Sequence, residues 1–184
     1  LAAGGGGEAG AGAPAGPADR EVLRRAEEAM ERGKAAFADR AAAEAKLAEG
    51  VEEMRRKVCD ASLPVQERTA ALTGLRFRPG GIDEPVLAAA IELYGSGIQP
   101  GFREVILRDL HRREDDRLRR LYIGALQDDP EPRVRRRAAE DIDTWKEDPE
   151  VRLALERARD GDADEEVRKI AATTIRNPAQ SSRR

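Results

Sequence analysis

Six apolar residues recur at nearly constant intervals: Val86, Phe102, Leu118, Val134, Val151 and Val167, separated by 16, 16, 16, 17 and 16 residues. Each heads an amphipathic set. Val86 is followed by Ala89, Ala90, Leu93 and Tyr94 at +3, +4, +7 and +8, Leu118 by Leu121, Tyr122, Ala125 and Leu126 at the same offsets, and Val167 by Ile170, Ala171, Thr174 and Ile175. Such offsets share one face of an α-helix. The Val134 set keeps Ala138 and Ile142 at +4 and +8, while Arg137 breaks the template at +3. The interval holds about twelve residues of helix and a short turn, so successive helices must run antiparallel. A less regular helix, "PVQERTAALTGLRF" at 64–77, completes the first pair. A short helix with one apolar stripe is covered only by its neighbours, which predicts an all-α solenoid of antiparallel helix pairs.

The turns agree. "RPGGIDEP", "GSGIQPG", "QDDPEP", "KEDPE" and "DGDADEE" place Asp and Pro where helices start, supplying side-chain caps and favourable charge at helix N-termini. Aromatic residues make up only 3% of the chain, which fits narrow helix stripes better than a wide core. No period-two run of strand length is present.

Four segments follow. Residues 1–18, built almost wholly from Gly, Ala and Pro, are expected to be a disordered tether, because they bury too little to offset their ordering entropy. Residues 19–60 read as one long helix or a helical hairpin with Asp19 as N-cap. Residues 61–178 hold the repeats, and 179–184 form a flexible tail. In the second segment Leu23, Ala26, Met30 and Phe37, then Leu47, Val51, Met54 and Val58, keep helical spacing, interrupted near Arg40 and Glu44 and weakened at Gly33 and Gly50. This stripe serves either to cap the chain's own repeats or to oligomerise as a coiled coil.

The motifs "DDPEPRVRRRAAEDI" (128–142) and "DGDADEEVRKIAATTI" (160–175) share an acidic linker, Val-Arg, and Ala-Ala four and five residues after the valine. They resemble HEAT-like repeats, particularly the short variety related to phycobilisome lyases. The likeness covers residues 98–176 clearly and 63–97 loosely. It implies a protein-interaction scaffold first. Lyase subunits and a HEAT-like group that repairs alkylated DNA are its other implications. It also implies that the second helix of each pair lines the concave side. Counting +1, +2 and +5 from Val86, Leu118 and Val151 then gives a candidate partner groove: Leu87 and Ile91, Arg119, Arg120 and Ile123, Arg152 and Leu153. Such a groove suits an acidic amphipathic helix or peptide. The competing reading makes its apolar members the seam between repeats.

Arginine follows five of the six anchors, as Arg103, Arg119, Arg135, Arg152 and Arg168. Recurrence at one template position points to architecture, with each guanidinium reaching a linker carboxylate such as Asp129, Asp148 or Asp164. Arg136 and Arg137 fall outside this set and remain candidates for an acidic partner. Acidic residues outnumber basic ones, 36 to 33, for a net charge of -3, so nucleic acid is not an expected partner.

Catalytic residues, metals and cofactors are not expected. His111 and Cys59 are the sole residues of their types, too few for zinc or for Cys-His and Ser-His-Asp chemistry. Cys59 itself is expected to be a small buried residue. No segment has the length and hydropathy for membrane insertion. The compartment is left open, cytoplasmic or extracytoplasmic if a signal or anchor preceded Leu1. The resulting expectation is a noncatalytic interaction scaffold, with oligomerisation through 19–59. An accessory or regulatory subunit of a lyase-like enzyme is the alternative, and anionic-polymer binding through the arginine clusters is a third reading.

Overall fold

Aspartate and proline set where the helices of this chain begin, and an apolar stripe on each sets how they stack. The computed structural model describes residues 17–111 and 113–177, with side chains from Glu21 onward. The expected tether lies outside the described residues except at its last two positions, and the tail at 179–184 lies wholly outside them.

Helix α1 (Pro17–Cys59) is continuous over 43 residues, so the hairpin alternative does not hold. Proline suits the first helical position because its ring pre-sets φ and its missing N–H has no partner to lose there. Asp19 consequently sits inside the helix, as its third residue, and not at the cap. The chain divides into two compact units, the first ending at Ala48 and the second beginning at Glu49. In the first unit α1 is exposed from Val22 onward. Pairs one turn apart line its surface: Arg25–Glu21, Lys34–Glu31 and Arg40–Glu44, at 2.8, 2.8 and 2.9 Å. Such exposed pairs add little to stability, because water and salt screen them.

The second unit opens with the last turns of α1. Val58 is fully buried there, and Val51 and Met54 pack on the same core. Next come α2 (Val65–Arg76), α3 (Glu84–Gly95), α4 (Pro100–Leu110), α5 (Asp116–Asp128), α6 (Pro132–Asp141), a 3-10 turn (Ile142–Trp145), α7 (Pro149–Gly161) and α8 (Glu165–Arg176). Asp83, Asp115, Asp148 and Asp164 cap α3, α5, α7 and α8 by accepting from backbone N–H groups of the first turn. Pro100 and Pro132 open α4 and α6, which have no side-chain cap. Gly80 and Gly97, at φ 64° and 75°, make the turns before α3 and α4, a backbone region that a Cβ disfavours.

The first helices of the pairs pack in sequence, α2 on α4, α4 on α6 and α6 on α8, while α5 packs on α7 among the second helices. Two layers result, α2/α4/α6/α8 and α3/α5/α7. Between them lie Leu72, Leu75, Val86, Ile106, Leu110, Leu118, Tyr122, Leu126, Val134, Val151, Leu155 and Val167, all fully buried. Five of the six anchors are therefore core residues, and Phe102 is half-buried against them. Removing one leucine from this core to alanine costs about 2–5 kcal/mol. Trp145 falls in the 3-10 turn and leans on Tyr122, with ring centroids 5.6 Å apart at 43°. No strand occurs among the described residues.

Candidate partner-binding site

The three template positions proposed for the groove separate cleanly. At +1, Leu87 is only 6% exposed and belongs to the core. Arg119, its counterpart one repeat on, donates through Nη1 to the Asp148 carboxylate, which begins the next second helix. Among the described residues, Arg152 in the last pair reaches only Glu156 on its own helix, at 3.2 Å. The +1 position is thus the seam between repeats, and Leu87 is too buried to serve the groove. At +2 stand Ala88, Arg120 and Leu153, all exposed, Leu153 by 47%. At +5 stand Ile91, Ile123 and Glu156, each half-buried, with the two isoleucines resting on the core. The candidates that survive stand on α3, α5 and α7: Ile91 and Ile123 half-buried, Leu153 and Arg120 exposed. Arg120 has no ion-pair or hydrogen-bond partner among the described residues.

Most other arginines are committed. Arg103 holds Asp129 through two bonds, Nε–Oδ2 at 2.7 Å and Nη2–Oδ1 at 2.8 Å, and its third nitrogen donates to the Ile98 carbonyl. Arg135 repeats this one unit later, gripping Asp162 at 2.8 and 2.9 Å and donating to the Asp129 carbonyl at 2.9 Å. Arg168 donates to the Asp162 carbonyl at 2.7 Å. Each first-helix arginine therefore ties its own linker, and Arg103 and Arg135 also clasp the next one. Asp164 is not one of these rungs: its carboxylate caps α8, and the pairing residue two positions earlier is Asp162. Burial pushes the carboxyl of Asp129 up, but Arg103, the Glu131 N–H and the Tyr94 hydroxyl outweigh it and hold it below the usual range. Asp162 is likewise lowered, by Arg135 and the Asp164 N–H against burial.

Arg137 bonds to Glu140 and Asp141 on its own helix, at 3.0 and 2.8 Å, so its charge is already balanced. Arg136 faces Asp164 at 4.0 Å and keeps a 40% exposed side chain. Cys59 is exposed at the end of α1 and not buried. Partial desolvation, then the charge of Asp83, raises its thiol above the ordinary range, so little thiolate forms at neutral pH.

A second ladder escaped sequence reasoning. Asp109 and Asp141 occupy +7 of α4 and α6, positions where the template expects an apolar residue. Asp109 is 2% exposed and meets Thr73 Oγ1, Arg76 at 3.3 Å and Arg108 at 2.8 Å. Asp141 is 5% exposed and meets Arg137, with His111 Nδ1 at 3.2 Å. In α8 the same position is Thr174, which donates to the Ala139 carbonyl at 2.9 Å. The signal was the pair of carboxylates breaking the apolar set. Both open toward a shallow depression that includes Phe77, Leu87, Arg113 and Glu114. Among the described residues no three His, Cys, Asp or Glu side chains are grouped so as to hold a metal ion.

No family model matches the chain, and no curated protein matches it. Among solved structures, human deoxyhypusine hydroxylase in complex with glycerol is similar, with TM-score 0.54 and 25% identity over 70% of this chain and 43% of that one. That neighbour is an all-helical HEAT-repeat protein. The fold is HEAT-like. The chain spans less than half the length of the neighbour it matches. The comparison also corrects the expectation of a noncatalytic module: the neighbour is an enzyme, so this architecture does not exclude catalysis. The physical reason is that a stack of short helices fixes only a scaffold, and chemistry depends on the side chains set upon it.

Proposed function

We propose that the HEAT-like unit is a protein-interaction module whose contact face is the second-helix layer, with Ile91, Arg120, Ile123 and Leu153 as its main determinants. The single observation that supports this is Arg120. It is exposed on the middle second helix and, among the described residues, lacks the internal carboxylate that its neighbours Arg119, Arg135 and Arg137 have. An unmatched guanidinium beside half-buried isoleucines suits an acidic amphipathic helix or peptide, whose apolar side chains cover Ile91, Ile123 and Leu153 while a carboxylate meets Arg120. Arg152, at +1 of α7, adds positive charge to this layer without forming the floor, whereas Arg136 lies on α6 in the first-helix layer and faces Asp164. The finer affiliation with phycobilisome-lyase-type repeats rests on Val134, Ala138 and Ala139 and on Val167, Ala171 and Ala172. The reading concerns binding alone and applies equally to a scaffolded partner and to a macromolecular substrate.

The test uses an acidic amphipathic helical peptide as probe and fluorescence anisotropy as readout. Arg120→Glu and Leu153→Asp should each weaken binding about tenfold or more, as losses at interface anchors commonly do. Arg137→Glu should leave it nearly unchanged. Binding that collapses with added salt but tolerates Leu153→Asp would instead support recognition of an anionic polymer.

A further inference from the structure

In the first unit α1 exposes Val22, Leu23, Met30 and Phe37 by 67, 58, 55 and 76%. Four large apolar side chains on one bare helix are out of keeping with an isolated surface helix. Leu23, Met30 and Phe37 follow each other at intervals of seven, with Ala26 and Gly33 three residues after the first two. That is a heptad seam in which large residues alternate with small ones. Gly33 sharpens the point: an added Cβ there would meet nothing within 4 Å. A glycine in a helix interior costs about 0.8–1 kcal/mol relative to alanine, and none of the described residues occupies the space that it leaves.

We propose that residues 22–41 of α1 pair with the same segment of a second copy as an antiparallel coiled coil. Antiparallel layers set a large side chain against a small one: Met30 against the partner's Gly33, Phe37 against the partner's Ala26, and Leu23 along the stem of the partner's Arg40. Flanking one side of the seam, Ala29 faces the partner's Ala36, which lets the backbones approach. On the other side Glu27 faces the partner's Lys34, and Lys34 faces the partner's Glu27. Glu27 has no ion pair within its own chain among the described residues, and Lys34 is 62% exposed. Charge fixes the register. A slip of one heptad in either direction brings the two Glu27 side chains or the two Lys34 side chains together. A parallel pair is disfavoured as well, because it stacks Arg40 on Arg40 and Gly33 on Gly33. The overlap ends before Glu44.

The test uses the full 184-residue chain with Cys59→Ser. Under mild oxidation, a mixture of the Ala26→Cys and Phe37→Cys proteins should form a disulfide-linked dimer, whereas neither protein alone should. In the antiparallel register like positions lie about 16 Å apart along the axis, beyond disulfide reach. By sedimentation equilibrium, Lys34→Glu should raise the dimer dissociation constant about tenfold, and Glu27→Lys combined with Lys34→Glu should restore it. Circular dichroism reports whether α1 stays helical in each variant. A chain that is monomeric at high micromolar concentration, disulfides between like positions, or failure of the double exchange to restore association would each overturn the proposal.

Discussion

Arg135 and Asp162 meet as a two-pronged pair, Nε–Oδ2 at 2.8 Å and Nη2–Oδ1 at 2.9 Å, with side chains only 12 and 8% exposed. The pair joins the first helix of one repeat to the linker of the next, and Arg103–Asp129 does the same one repeat earlier. Removing one partner strands a buried charge. Asp162→Ala should destabilise the unit by about 3–5 kcal/mol in urea unfolding. Truncating Arg152, whose pair with Glu156 is exposed, should change stability by less than about 1 kcal/mol.

Acid should loosen the joints between repeats before it melts the apolar core. Asp129, Asp148 and Asp162 all have lowered carboxyl pKa values in the fold, and Asp115, capping α5 beside Arg117, is lowered to about 2. A depressed folded pKa contributes stability that is fully present above the unfolded carboxyl value, about 3.9. That contribution fades as pH falls through the folded value. Urea midpoints should therefore be level near neutrality and fall progressively below about pH 4. Asp129→Asn should flatten part of that decline.

Tyr122 is fully buried and its hydroxyl donates to the Leu107 carbonyl. That carbonyl belongs to the last turn of α4, where helix carbonyls lack intrahelical partners. Tyr122→Phe keeps the ring but orphans this acceptor, and should cost about 1–3 kcal/mol with an unchanged helical spectrum.

The exposed Cys59 thiol should be slow. With its pKa raised, alkylation by iodoacetamide at neutral pH should lag behind a free cysteine peptide, and should rise toward it only in alkaline buffer. Equal rates at neutral pH would contradict the assigned surroundings.

Much of this architecture was readable from spacing alone, because a 16–17-residue interval admits little besides a short helix and a turn. Five of the six anchors proved to be core residues, with Phe102 half-buried against them, and Asp129 and Asp148 proved to be rungs. The site was less legible. Leu87, Arg119 and Arg152 share a template position whose environment is set by the repeat that follows, so one proves buried, one paired across the seam and one exposed. A helix template fixes which residues share a face, but not which part of that face the next pair covers. Asp162 and Asp164 show the same limit: both are linker acids two residues apart, and only backbone geometry makes one a clasp and the other a cap. As a small residue near a helix end Cys59 reads as buried, yet α1 ends there and leaves it exposed.

The central claim is that the second-helix layer is a contact surface. Methyl-resolved NMR titration with an acidic amphipathic peptide tests it most directly. Ile91 and Ile123 δ1-methyl signals should shift in a saturable way, while Ile106, fully buried in α4, should stay in place, and Arg120→Glu should abolish the shifts. Saturable binding that leaves Ile91 and Ile123 unmoved, or no binding to the unsubstituted chain, would contradict it.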